Sequence, residues 1–173
     1  MSAVLAAAVQ RAAGVTDERT LADLRRGVDE EIDQAVHSPD FRERAIAFRA
    51  IGQLRFAQKT EMLRRGLDDD SPACRGSALL SLELLSRTHP GPVNGVRPLL
   101  HTLANGDPNG SVRRLAVLCL KNGSATQDTM TFLAHIAEGE EDPEVARAAG
   151  AVLRALKQKA AAKEGRGHAP PGV

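Results

Sequence analysis

The stretch Asp142-Pro143-Glu144-Val145-Ala146-Arg147-Ala148-Ala149 decides the fold, because weaker copies of it come earlier at nearly even spacing. Asp107-Pro108 leads to Val112-Arg113 and Ala116, Ser71-Pro72 to Arg75 and Ala78, and Ser38-Pro39 to Arg42 and Ala45. The four prolines stand 33, 36 and 35 residues apart, a period that predicts a solenoid of stacked helix pairs. Each phrase reads as a helix start. Ser or Asp at the N-cap accepts a bond from a free backbone N–H, and Pro at the first helical position has no N–H to leave unsatisfied.

Working outward, an Ala-rich amphipathic run follows each start, over 39–55, 72–87, 109–121 and 143–159. A second run with apolar residues at i, i+3 and i+4 follows the first three, as in Met62, Leu63 and Leu67, in Val93, Val96, Leu100 and Leu103, and in Met130, Leu133 and Ala137. Leu21, Leu24, Val28, Ile32 and Ala35 show the same pattern ahead of Pro39, with Thr16 or Asp17 as cap. About nine helices are expected, in an all-α right-handed superhelix over residues 1–160. Its repeats would cover 2–36, 38–68, 71–105 and 107–138, closed by an unpaired helix over 142–160. That last helix would leave Val152 or Leu156 poorly covered, a surface for weak homodimerisation of an otherwise monomeric chain. Residues 161–173 hold Gly, Pro and charge without an apolar period and are expected to form a disordered basic tail.

Composition narrows the function. The chain has 23 Lys+Arg against 22 Asp+Glu, which argues against a polycation that coats nucleic acid. Four Phe with no Trp or Tyr argue against base-stacking platforms, aromatic cages and an all-β fold. Arg outnumbers Lys 18 to 5, the usage of a GC-rich, bacterial coding sequence. Cys74 and Cys119 stand apart from any metal-ligand spacing and read as buried thiols in a reducing, cytoplasmic setting. The first eleven residues are apolar but lack a positive n-region, so they read as a helix rather than a signal peptide or membrane span.

With these starts in place, residues 16–158 resemble the HEAT-repeat family, in particular its short bacterial members, whose repeats are also called phycobilisome-lyase-like. The resemblance implies that the second helix of each pair lines a concave binding side, and that turn Asp and helix Arg residues form a ladder between repeats. Carried over, Asp70, Asp107 and Asp142 become ladder acids, and Arg42, Arg75 and Arg113 ladder bases. The pattern departs at Ala146, which stands where an Arg is usual, and at Pro108, which lies two residues further from its Arg than Pro72 does.

No residue constellation points to chemistry. His101 and His135 sit one repeat apart but lack a third ligand for zinc. The acidic runs 68–70 and 138–142 lack the alternating ligands of a calcium loop and suit helix N-termini. The Gly-containing loops 91–95 and 106–110 lack the Lys and Ser/Thr of a phosphate loop, and Ser86, Ser111 and Ser124 lack a hydrolase context. No cofactor is expected. Arg is the suggestive residue type: Arg25 and Arg26, Arg64 and Arg65, and Arg97 beside His101 recur on second helices. The expectation is a non-catalytic scaffold whose concave face, with Arg64, Arg65, Arg97, His101 and His135, binds a protein or peptide partner, an acidic one by this charge. The alternatives weighed are a nucleic-acid-binding protein similar to the HEAT-like DNA glycosylases, and an accessory phycobilin-lyase-like protein.

Overall fold

A computed structural model describes residues 3–167. Among them there are ten α-helices, one 3-10 helix and no strand. The chain divides into two compact units, Met1–Val96 and Arg97–Val173.

The first unit holds α1 (Ala3–Ala12), α2 (Glu18–Ala35), α3 (Phe41–Gln53), a 3-10 turn (Ala57–Lys59), α4 (Thr60–Gly66), α5 (Pro72–Ser86) and α6 (Gly91–Gly95). Its tightest seam joins α3 to α5. The buried hydroxyl of Ser81 donates to Phe48 O at 2.6 Å and accepts the Gly52 N–H at 3.2 Å. A regular helix would join those two backbone groups directly, so Ser81 bridges one step of the α3 ladder. Only Gly permits that approach, since a Cβ on residue 52 would lie 2.5 Å from Ser81 Cα. On α2 the apolar stripe Leu21, Leu24, Val28 and Ile32 is buried, as its spacing requires. Asp17 caps this helix by accepting the Thr20 N–H at 2.8 Å.

The second unit holds α7 (Arg97–Gly106), α8 (Gly110–Leu120), α9 (Gln127–Gly139) and α10 (Pro143–Gly167). Two expectations change. The run through Val93 and Leu103 is two helices rather than one, which brings the count from nine to ten. Val96, at φ −118°, interrupts it, and Pro98, which has no N–H to bond Asn94 O in a continuous helix, sits instead in the first turn of α7. The closing helix is also covered: α10 packs on both α8 and α9, and Val152 and Leu156 are 2% and 0% exposed. Val152 and Leu156 are therefore not the poorly covered edge expected of this helix, because α8 and α9 together bury the face that one partner would leave open.

Helix α10 runs on through Gly167 rather than stopping at 160. Ala160, Ala161, Ala162, Lys163 and Glu164 are strong helix formers that extend it without a packing partner, and 161–165 are exposed. The rest of the expected tail, 168–173, lies outside the described residues.

Four turns share one hydrogen bond. The side chains of Ser38, Asp69, Asp107 and Glu140 each accept the N–H two residues on, of Asp40, Ser71, Asn109 and Asp142. Three of these turns share a second device, an Arg six residues after the acceptor that donates back to its carbonyl. Arg44 reaches Ser38 O, Arg75 reaches Asp69 O and Arg113 reaches Asp107 O, all at 2.9 Å. The first of these arginines is Arg44 and not Arg42, whose guanidinium lies over the Phe41 ring at 5.4 Å.

The same arginines reach the next turn within each unit. Arg44 binds Asp69 through Nε at 2.8 Å and Nη2 at 2.9 Å, and Asp70 at 2.6 Å. Arg113 lies 3.3 Å from Glu140 and 4.0 Å from Asp142. Cys74 and Cys119 are buried. Cys74 Sγ donates to Phe41 O at 3.2 Å, and burial, with Asp69 nearby, pushes its thiol up to about 11.

Candidate functional site

Between α2 and α4 of the first unit lies an open cleft of about 650 Å³. Helix α2 brings Ala22, Arg25, Arg26, Asp29 and Asp33 to it at intervals of three and four residues, the spacing of one helix face. The turn and helix that follow α3 bring Phe56, Lys59, Glu61, Met62 and Arg65.

Its fixed part is Lys59, which is 8% exposed. Lys59 Nζ lies 2.6 Å from Asp29, bonds Asp33, and sits over the Phe56 ring at 4.9 Å. Burial pushes the ammonium towards its neutral form, but the two carboxylates outweigh that and hold its pKa above the ordinary lysine value. Arg25 is similarly tied down: its side chain is 15% exposed, donates to Leu54 O at 3.0 Å and bonds Glu18.

The adaptable part is the rim. Arg26 and Arg65 have side chains 73% and 67% exposed, and each meets an acid of its own helix, Asp23 for Arg26 and Glu61 at 3.8 Å for Arg65. Arg64, 52% exposed, also binds Glu61, at 2.8 Å, and holds that carboxyl below the ordinary carboxylate range. Exposed pairs one helical turn apart stabilise by only about 0.2–0.5 kcal/mol, so these acids hold the three arginines only loosely.

The other expected site residues belong to the second unit. Arg97 opens α7 and reaches Ser124 O at 3.4 Å. His101 is half-buried, stacks on Phe132 at 4.2 Å and shares a 3.2 Å hydrogen bond with Thr129. Burial, and then the Arg97 charge, hold its pKa below the ordinary histidine value, with Asp128 opposing. His135 is exposed beside the turn residues Asp107, Arg113 and Glu140. Among the described residues, no group of three His, Cys, Asp or Glu is arranged to hold a metal ion, and no helix is long and apolar enough to cross a membrane.

Sequence reasoning singled out Arg65, which lines the cleft, and Arg64, which does not, and it gave no site role to Lys59, Asp29, Asp33 or Phe56. Asp29 and Asp33, four apart on one helix, were the available signal, since such a pair can clamp a cation from a neighbouring element. No protein-family model matches the chain, and no curated protein matches its sequence.

Proposed function

We propose that this chain is a non-catalytic helical-repeat scaffold that binds a segment of another protein on its second helices, and in the first unit does so along the α2–α4 cleft. The observation that carries the reading is the cleft itself. A rigid bed, Lys59 locked by Asp29 and Asp33 over Phe56, is flanked by exposed Arg26 and Arg65 with replaceable partners. The four equivalent turns and their arginine devices support a repeat architecture, whose stacked units present extended rather than enclosed surfaces. The partner segment carries carboxylates on one side and an apolar side chain that seats on Ala22 and Met62. Its carboxylates take the arginine forks in two-point contacts.

The test is selection from a random peptide library against the full chain. Acidic amphipathic peptides should emerge, and Arg26→Glu with Arg65→Glu should weaken them at least tenfold with helicity unchanged. Emergence of basic or purely apolar peptides, or indifference to the double charge reversal, would show the reading to be wrong.

A further inference from the structure

We propose a second site: the cleft formed by the helix-ending turns of the first unit binds a small organic carboxylate. Helices α1, α3 and α5 end at Ala12, Gln53 and Ser86, and the turns after them border a cavity of about 470 Å³, within the size range of small-molecule sites. Val15, Leu84 and Leu85 give it apolar surface, while Arg55, Arg87 and His89 supply its ionisable groups; no Asp or Glu lines it among the described residues.

Arg55 is the telling residue. It closes α3 with φ +51°, the one non-glycine residue at positive φ among those described. The bonds Arg55 N–H to Gly52 O and Phe56 N–H to Ile51 O make this a Schellman cap, whose left-handed position normally takes glycine. The strained backbone therefore carries a guanidinium where a glycine would be more comfortable. Within the protein that guanidinium reaches only Val15 O, at 3.5 Å, the limit of a hydrogen bond. Its Nε and Nη1 have no acceptor among the described residues.

Arg87 adds a second donor. Glu83 takes its Nε and Nη2 at 2.9–3.2 Å, which fixes the side chain and leaves Nη1 for a ligand. Two guanidinium groups at one apolar-walled cleft suit a carboxylate, which accepts paired N–H bonds. The helix C-termini around them carry partial negative charge, which disfavours a compact dianion such as phosphate. A monoanion with an aliphatic body fits both the charge and the walls.

The experiment is calorimetric titration of the full chain with N-acetyl-leucine, with its uncharged methylamide and with inorganic phosphate, all at equal ionic strength. Saturable binding of the carboxylate is expected, with at least tenfold weaker binding of the other two. Arg55→Gly is the informative variant, because it should keep or raise the melting temperature while weakening carboxylate binding at least tenfold. Arg65→Glu should leave binding unchanged, which separates this site from the α2–α4 cleft. The proposal is overturned if N-acetyl-leucine does not bind, if the methylamide or phosphate binds equally well, or if Arg55→Gly binds as the parent does.

Discussion

Replacing Arg44 by Ala tests the energetic core of the first unit. The Arg44 and Asp69 side chains are 14% and 10% exposed and joined by two parallel N–H···O bonds. Burial alone would raise the Asp69 carboxyl, but Arg44 and the Ser71 N–H outweigh it and bring it from 3.8 to about 2. At about 1.4 kcal/mol per pKa unit, that depression corresponds to roughly 2 kcal/mol of stability near neutral pH. Removing Arg44 also strands a largely buried carboxylate and frees the Ser38 and Pro39 carbonyls, so a loss of about 2–4 kcal/mol is expected at pH 7. The sign of the pH dependence follows from the depressed pKa. The Asp69 contribution is complete above about pH 4 and disappears as pH falls through about 2. The difference between parent and Arg44→Ala should therefore shrink on acidification towards the part due to the freed carbonyls, about 1 kcal/mol. Urea unfolding followed by circular dichroism between about pH 7 and pH 2.5 measures it, with Arg42→Ala as a control near zero. A loss below about 0.5 kcal/mol at pH 7, or one that does not change on acidification, would refute the reasoning.

Gly52→Ala should cost about 3 kcal/mol or more, because the new Cβ would meet Ser81 backbone at 2.5 Å and force α3 from α5; a melting temperature within about 2 °C of the parent would contradict it. Arg55→Gly should stabilise by about 1 kcal/mol through relief of the left-handed backbone, raising the melting temperature by about 2–4 °C. Arg75→Ala, which frees Asp69 O and Asp70 O, should destabilise by about 1–2 kcal/mol. Arg87→Ala, exposed and paired only with Glu83 of its own helix, should cost under about 0.5 kcal/mol. Deleting 161–173 should leave the melting temperature within about 2 °C, since 161–165 cover no apolar surface; a larger drop would reveal docking of this segment.

The helices were legible because local signals agree with the packing: the α2 stripe is buried where its period puts it, and caps sit near the expected starts. The register of the turns was not legible, and proline is the reason. Pro39 and Pro108 follow the turn acceptors Ser38 and Asp107 directly, whereas Pro72 and Pro143 come three residues after Asp69 and Glu140. The prolines thus occupy two different places, inside the turn in one pair and at the first helical residue in the other. Both places tolerate a missing N–H, so proline alone could not tell them apart. Alignment on proline selects Arg42; alignment on the residue whose side chain closes the turn selects Arg44, Arg75 and Arg113. It also makes Ala146 the equivalent of those arginines, so the last turn lacks the return bond that the other three have.

The cleft was half legible for a related reason. Arg65 follows from helical spacing, which places exposed positions well. Lys59 does not, because nothing local distinguishes a lysine that snorkels to solvent from one that two carboxylates hold against an aromatic ring. That distinction depends on α2 presenting Asp29 and Asp33 to a residue 26 positions later in the case of Asp33. The tertiary partner therefore decides what the lysine does. With the Lys59 charge balanced inside the bed, the proposed function leaves ligand choice to the rim arginines Arg26 and Arg65. Charge reversal at Arg26 and Arg65 should accordingly alter binding without unfolding the unit, while Lys59→Met should disturb the bed by stranding two carboxylates side by side.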